Sequence, residues 1–343
     1  MVDEQNPIQA ADSNNTDNSQ DVVEQFLAND PYKHSQEVNF EDVPEGHRSG
    51  FIAVVGRPNV GKSTLINAII GQKIAIVTPK PQTTRIRQLG ILSTERMQAI
   101  FIDTPGIHQP RSKLGNYMVK VALNSLQDAD IVLFVSDASK SPNMGDRNVA
   151  QMISEAQPQV ILHVLNKVDL ASDPSVYQEN VEAHLSLVNQ TEWFTSIATE
   201  GVGVSEIIAA IEKYLPEGPR YYPPEDVSDL WVREIVGEII REQILLLTDE
   251  EVPHASAVSI EEYLERSNGK IYIRAIVFVE REGQKAILIG KGGAMIKQIS
   301  QRSREAIEAF IERPVYLDLK VKVLKNWRSN ENALRRLGYR TEL

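Results

Sequence analysis

Gly56-Arg57-Pro58-Asn59-Val60-Gly61-Lys62-Ser63, followed by Thr64, sets a lysine and a hydroxyl directly behind a pair of glycines. This is the GxxxxGK[ST] spacing of a phosphate-binding loop. The glycines let the backbone wrap close to phosphate oxygens, so successive N–H groups point at negative charge. Lys62 is placed to reach the β- and γ-phosphates, and the Ser63 hydroxyl to ligate Mg²⁺. Downstream, Asp103-Thr104-Pro105-Gly106 offers a carboxylate that can hold the same Mg²⁺ through water, and a glycine whose amide can approach the γ-phosphate. As a bare turn that tetrapeptide is common, so its weight comes from order and spacing. Between the two lies Pro81-Gln82-Thr83-Thr84-Arg85, a polar segment that can supply a second hydroxyl to Mg²⁺, from Thr84 or else Thr83.

Asn166-Lys167-Val168-Asp169 follows the apolar run 160–165 and so falls at the carboxyl end of a buried strand. Doubly wound sheets bind ligands there. A carboxylate in that place can accept both guanine N1–H and N2–H₂, a donor pair that adenine lacks on that edge. Leaving that buried carboxylate of Asp169 unpaired would cost a wrong base several kcal/mol, on the order of a thousandfold or more. The bland alternative is a solvated strand-to-helix turn with Asp169 or Ser172 as an N-cap. The phosphate loop upstream at this separation favours the base-binding reading.

Elements must bring these groups together. Apolar runs at 51–55, 97–102, 130–135, 160–165 and 192–197 alternate with helical stretches such as Lys113–Leu126 and Gly203–Tyr214. That alternation predicts a doubly wound, mainly parallel sheet. The pattern breaks at 215–224, where Leu-Pro-Glu-Gly-Pro-Arg-Tyr-Tyr-Pro-Pro cannot stay helical and reads as a stiff linker. Beyond it the expectation is a helix (Leu230–Leu247), strands (Ala255–Leu264 and Lys270–Glu280), two helices around a glycine loop, and a strand (Val315–Leu324).

That loop is Ile289-Gly290-Lys291-Gly292-Gly293. Bare glycines there let a sugar–phosphate backbone pass over two helix ends while Lys291 neutralises phosphate. Residues 285–304 carry Lys285, Lys291, Lys297, Arg302 and Arg304 and no acid, so the local field is positive. A glycine-rich connector with a solvated basic face is the alternative. The final segment adds Lys320, Lys322, Lys325, Arg328, Arg335 and Arg336, with Trp327 among them, either as a stacking surface for single-stranded RNA or as core packing. Lys320 and Lys322 alternate with apolar residues, share one strand face, and are expected to edge the RNA site.

Gly-Arg-Pro-Asn-Val-Gly-Lys-Ser, Gln-Thr-Thr-Arg, Asp-Thr-Pro-Gly and Asn-Lys-Val-Asp, in that order, resemble the translation-factor-like GTPases, and more narrowly the Era family. The likeness runs from about residue 50 to the end: Ile-Gly-x-x-Gly between two helices is the hallmark of a KH module of type II, and Lys320–Arg328 resembles the Era C-terminal signature. The fold it implies is an α/β P-loop GTPase domain over 49–215, a linker over 216–228, and a smaller α+β KH domain over 229–343. It implies GTP and GDP as ligands, with Mg²⁺, and a switch in which Thr84, or else Thr83, and the Gly106 amide sense the γ-phosphate. The implied RNA partner is the 3′ end of small-subunit rRNA on the assembling small ribosomal subunit. Asn59 resembles the position at which some relatives bind K⁺. Ile107 stands where Ras-like enzymes place a water-orienting glutamine, which implies slow turnover and leaves no catalytic residue assigned. Ile197-Ala198 replaces the family's Ser-Ala, so the Ala198 N–H can still meet guanine O6 while the serine hydroxyl, displaced to Ser196, loses its role.

The 343 residues fit two domains, and the absence of cysteine excludes disulfides and thiolate chemistry. No stretch has the length or pattern of a membrane span or a signal peptide. The expectation is a cytoplasmic monomer, with a peripheral fraction at the inner membrane as a secondary habit and no DNA partner. A net charge of −11 argues against nucleic acid only until it is divided. Residues 1–50 contribute −9, residues 51–228 about −3, and residues 229–343 about +1. The segment 1–48 therefore reads as a disordered acidic extension. Two rivals are a P-loop phosphotransferase, against which the Asn-Lys-Val-Asp box speaks, and a switch whose last basic helix lies on anionic lipid.

Overall fold

The computed structural model describes residues 43–78, 80, 83–106, 112–171, 173–230, 232–267 and 269–339. Ile107, Ser172 and nearly all of the expected acidic extension lie outside them. Of that extension, His47 and Arg48 belong to the fold: the His47 carbonyl accepts from the Gly218 amide at 3.0 Å, and Arg48 opens the first strand.

Six strands form the first sheet: β1 (Arg48–Val55), β2 (Gln88–Ser93), β3 (Met97–Asp103), β4 (Ile131–Asp137), β5 (Ile161–Asn166) and β6 (Glu192–Ser196). Their order is β2-β3-β1-β4-β5-β6, parallel except for β2, which runs antiparallel to β3. β2 is absent from the expected runs, because Gln-Leu-Gly-Ile-Leu-Ser is short and interrupted by glycine. Five helices cover the sheet: α1 (Lys62–Ile70), α2 (Lys113–Gln127), α3 (Met144–Ala156), α4 (Pro174–Leu185) and α5 (Val204–Tyr214). The two-residue period of the strands divides the core. Ile52, Val54, Leu133 and Val164 pack with Leu65, Ile66, Ile207 and Ile211 on one face. Ala53, Val55, Val132 and Phe134 pack with Ala122, Leu126, Val149 and Ile153 on the other. β3 and β4 flank β1, so the chain's crossovers diverge at the carboxyl end of β1, where such sheets open a ligand crevice.

The segment 216–228 lies along the first sheet. Its Tyr221 and Tyr222 amides donate to Gln98 Oε1 (2.6 and 3.0 Å), Val227 O accepts from Ile91 N (2.9 Å), and Ser228 Oγ donates to Leu89 O (2.8 Å). The second sheet comprises β7 (Ala257–Glu265), β8 (Ile271–Val279) and β9 (Val315–Val323), with β8 central, antiparallel to β7 and parallel to β9. α6 (Val232–Leu247), the one-turn α7 (Val252–Ala255), α8 (Glu282–Ile289), α9 (Ala294–Ile311) and α10 (Glu331–Arg336) complete this half. Ile273, Ala275 and Val277 of β8 meet Ile235, Ile239, Leu288, Ile299 and Ile307 of α6, α8 and α9 in one core. A further cluster joins the halves: Leu114, Tyr117 and Met118 of α2 pack with Ala257, Trp327, Leu334 and Tyr339.

Candidate nucleotide site and glycine loop

Residues 56–61 leave the end of β1 and turn into α1. Gly61, at φ 105°, sits where any side chain would run into the Asn166 amide, so the glycine allows the phosphate loop and the Asn-Lys-Val-Asp loop to touch. Lys62 Nζ is folded back on the Gly56 and Arg57 carbonyls at 3.1 and 3.3 Å. Burial lowers its pKa to about 8; Asp103 opposes the shift and Arg57 adds to it.

Ser63, Thr84 and Asp103 converge. Ser63 Oγ donates to Asp103 Oδ2 at 2.7 Å, Thr84 Oγ1 donates to the same oxygen at 3.1 Å, and the two hydroxyls are 3.0 Å apart. Asp103 Oδ1 is buried without a hydrogen-bond partner, and burial raises the Asp103 pKa against the pull of Lys62. Two hydroxyls and a carboxylate with an unsatisfied oxygen make a donor set suited to Mg²⁺, which prefers oxygen and keeps several waters. Thr83 is turned away, its hydroxyl donating to Lys80 O at 2.7 Å. Of the two threonines, Thr84 therefore stands with the metal set. Pro58, Asn59, Gly61, Lys62, Thr64, Val77, Thr78, Thr83, Thr84 and Gly106 line the cavity over the loop. A Cβ on Gly106 would lie 2.9 Å from the Pro58 backbone, so only glycine brings the Asp103–Gly106 turn this close to the phosphate loop.

Several expectations need correction. Thr104 does not face the nucleotide: its fully buried hydroxyl donates to Val54 O at 2.7 Å and ties β3 to β1. The Arg57 guanidinium is engaged by Asp146 at 3.1 Å and Asp137 at 3.4 Å, which fixes the loop to α3 and β4 and leaves its backbone to face phosphate. Asp169 lies in a one-turn 3₁₀ segment beyond the strand tip and is exposed, not buried. The penalty for an unpaired carboxylate thus arises only once a base covers it. The Ala198 amide, expected to meet guanine O6, donates to Asn166 Oδ1 at 3.1 Å. Ser196, read as displaced from its role, is buried and donates to the same oxygen at 3.0 Å.

Asn166 thereby becomes the hub of the base side, since its Nδ2 also donates to Val60 O at 2.8 Å. Lys167 Nζ reaches over the loop to Asn59 O (2.6 Å) and to Asp137 (3.1 Å), while Asn59 takes a positive φ of 65°. Asp137 and Asp146 are the members that sequence reading missed. The signal for Asp137 was its place at the carboxyl end of a buried strand, the same kind of place as Asp103 and Asn166.

In the second half, the glycine loop joins the end of α8 to the start of α9. Gly290, Gly292 and Gly293 have φ of 73°, 61° and 80°. Ile289, Lys291 and Lys297 are exposed around them. Lys320 and Lys322 are exposed too, but in register with Ile276 and Phe278, on the face of the sheet opposite α8 and α9. The structure therefore does not bring them to the helix ends. Lys325 is exposed, whereas Arg328 is half-buried and bound to Glu280, Nε donating at 2.9 Å, so its charge is already answered. Trp327 is fully buried, its Nε1 donating to Ala255 O at 2.8 Å; it is core, not a stacking surface for RNA.

Residues 51–167 match a family model described as a 50S ribosome-binding GTPase, and residues 251–328 match one for the KH domain. Phosphate loop, Mg²⁺ donor set and base-side hub on a doubly wound sheet, followed by a KH domain, define the class: a P-loop GTPase joined to a KH module. Among solved structures, the chain is similar to a variant of Aquifex aeolicus Era bound to GDP·AlF4⁻, with 37% identity, TM-score 0.81, and coverage of 85% of this chain and 99% of that one. It is equally similar to Era in complex with MgGDPNP and nucleotides 1506–1542 of 16S ribosomal RNA, at 36% identity and TM-score 0.80, covering 85% and 99%. The chain belongs to the Era family of GTPases: it binds guanine nucleotides and hydrolyses GTP.

Proposed function

We propose that this GTPase holds the 3′ end of small-subunit rRNA on its glycine loop and assists assembly of the small ribosomal subunit in the cytoplasm. The observation that carries this reading is the loop itself. Two helix ends meet at positive-φ glycines, with exposed Lys291 and Lys297 for phosphate and exposed Ile289 for a base. Support comes from a relative that covers nearly the same residues and is bound to nucleotides 1506–1542 of 16S ribosomal RNA. GTP would be bound with Mg²⁺ held by Ser63 and Thr84 directly and by Asp103 through water; K⁺ beside Asn59 is the further ion the family resemblance suggests. The RNA contacts are Ile289, Gly290, Lys291, Gly292, Gly293 and Lys297, with Lys325 as an outer phosphate contact.

The test is a fluorescence titration of a short single-stranded RNA matching that 3′ end, with GDP and with a non-hydrolysable GTP analogue. Sub-micromolar, sequence-selective binding that fails in Gly292→Asp is the expected result. Weak binding that is indifferent to sequence and to the variant would remove the RNA target.

A further inference from the structure

The stretch of described residues 73–78, 80 and 83–85 lies between the nucleotide site and the KH domain. Its anchors are on the KH side. Lys73 Nζ pairs with Glu242 Oε2 at 2.7 Å, and the Val77 amide donates to Glu242 Oε1 at 3.0 Å. Lys80 Nζ pairs with Asp249 at 2.8 Å. The Arg241 guanidinium donates to Thr83 O and is itself held by Glu238. Arg85 donates to the Ser256, Pro253 and His254 carbonyls at 2.6, 3.0 and 3.1 Å. The Arg241 and Glu242 side chains are 1% and 3% exposed, so these are buried charges committed to a loop of the other domain. Thr84, between two residues so anchored, is the one whose hydroxyl turns back to Ser63 and Asp103.

We propose that Arg241 and Glu242 of α6 are positioning residues for the GTPase site: they hold Thr84 in the Mg²⁺ donor set, so the KH domain sets the preference for GTP over GDP. The proposal rests on reading Thr84 as the residue that senses the γ-phosphate. A loop that already occupies its bound conformation does not have to be ordered by the ligand, and only a triphosphate completes the contact that Thr84 awaits. α6 also shares a core with α9, whose first residue follows Gly293. The helix that starts at the glycine loop therefore packs on the helix that positions Thr84. By reciprocity, whatever GTP gains from this anchoring the KH domain gains in return.

The experiment uses the full chain with Mg²⁺ and fluorescent GDP and non-hydrolysable GTP analogues. Arg241→Met and Glu242→Ala should weaken the analogue about tenfold and GDP less than twofold. Glu242→Gln, which keeps an acceptor for the Val77 amide, should recover most of the loss. An unchanged ratio of the two affinities in Arg241→Met and Glu242→Ala, or an equal loss for both nucleotides, overturns the proposal. Thr84→Ala separates it from the reading beneath it. If Thr84→Ala lowers the ratio and the α6 variants do not, the anchoring alone is wrong. An unchanged ratio in Thr84→Ala removes both.

Discussion

Replacing Trp327 by leucine separates two roles that its basic surroundings leave open in the sequence. The side chain is fully buried, stacks on Tyr339 at 5.8 Å and 15°, and lies beneath the Arg85 guanidinium at 5.9 Å. Truncating a buried Trp to Ala costs about 3–5 kcal/mol, and leucine restores part of that volume, which leaves about 2 kcal/mol. Losing the Nε1 bond to Ala255 O adds about 1 kcal/mol, and the ring stack about another 1 kcal/mol. The expected loss is therefore about 4 kcal/mol, a large fraction of the 5–15 kcal/mol typical of a folded protein. Urea unfolding monitored by circular dichroism measures it, beside an RNA titration at a temperature where the variant is folded. RNA affinity should stay within about twofold of wild type. A base-stacking tryptophan would give the reverse, about 1–3 kcal/mol of lost RNA affinity with stability hardly changed. That reverse result would refute the assignment of Trp327 to the shared core.

Three further outcomes follow from the site and the core. Phosphate favours protonated Lys62, whose pKa in the ligand-free protein is about 8, so above that pH nucleotide binding must take up a proton. Affinity should fall about fivefold between pH 8 and 9, and calorimetry in buffers of different ionisation enthalpy should show near one proton taken up at pH 9 and near none at pH 7. His163 is fully buried against Ser136 and Phe134, and burial, reinforced by His184, lowers its pKa to about 3. The unfolded chain protonates near pH 6.5 and the folded one does not, so stability is present above pH 6.5 and falls below it by about 1.4 kcal/mol per unit; His163→Gln should flatten that slope in denaturant titrations from pH 7 to 5. Asp169→Asn presents one donor and one acceptor where guanine needs two acceptors, so GTP affinity should drop about a hundredfold while xanthosine triphosphate gains, as competition binding would reveal.

Much of the nucleotide site is legible because its geometry is local. A strand, two glycines and a helix fix where Lys62 and Ser63 stand, whatever the rest of the chain does. The choice between Thr83 and Thr84 was not legible, since it depends on Lys80 O capturing one hydroxyl and on Arg241 holding the carbonyl between them. The partners of Thr104 and Ala198 were not legible for a related reason. A motif says which residues gather at a strand end, but the partners Val54 O and Asn166 Oδ1 come from other strands. The apolar run ahead of Asp169 predicts burial, yet the 3₁₀ turn carries it past the strand tip.

The C-terminal run was the hardest to read, and its physics explains why. Lys320, Lys322, Lys325 and Arg328 look like one basic surface when only charge and spacing are visible. In three dimensions Lys320 and Lys322 face away from the glycine loop, Arg328 is bound to Glu280, and Trp327 points inward. What the run builds is the joint between the domains. Trp327 and Tyr339 pack on Tyr117 of α2, and Trp327 underlies Arg85, the next residue after Thr84. Buried polar and aromatic groups in such a joint admit few arrangements, because any slippage leaves Arg85 or the tryptophan N–H without its carbonyls. A joint of that kind moves as a unit or not at all. Trp327, which seemed to extend the RNA surface, thus belongs to the joint and not to the RNA face.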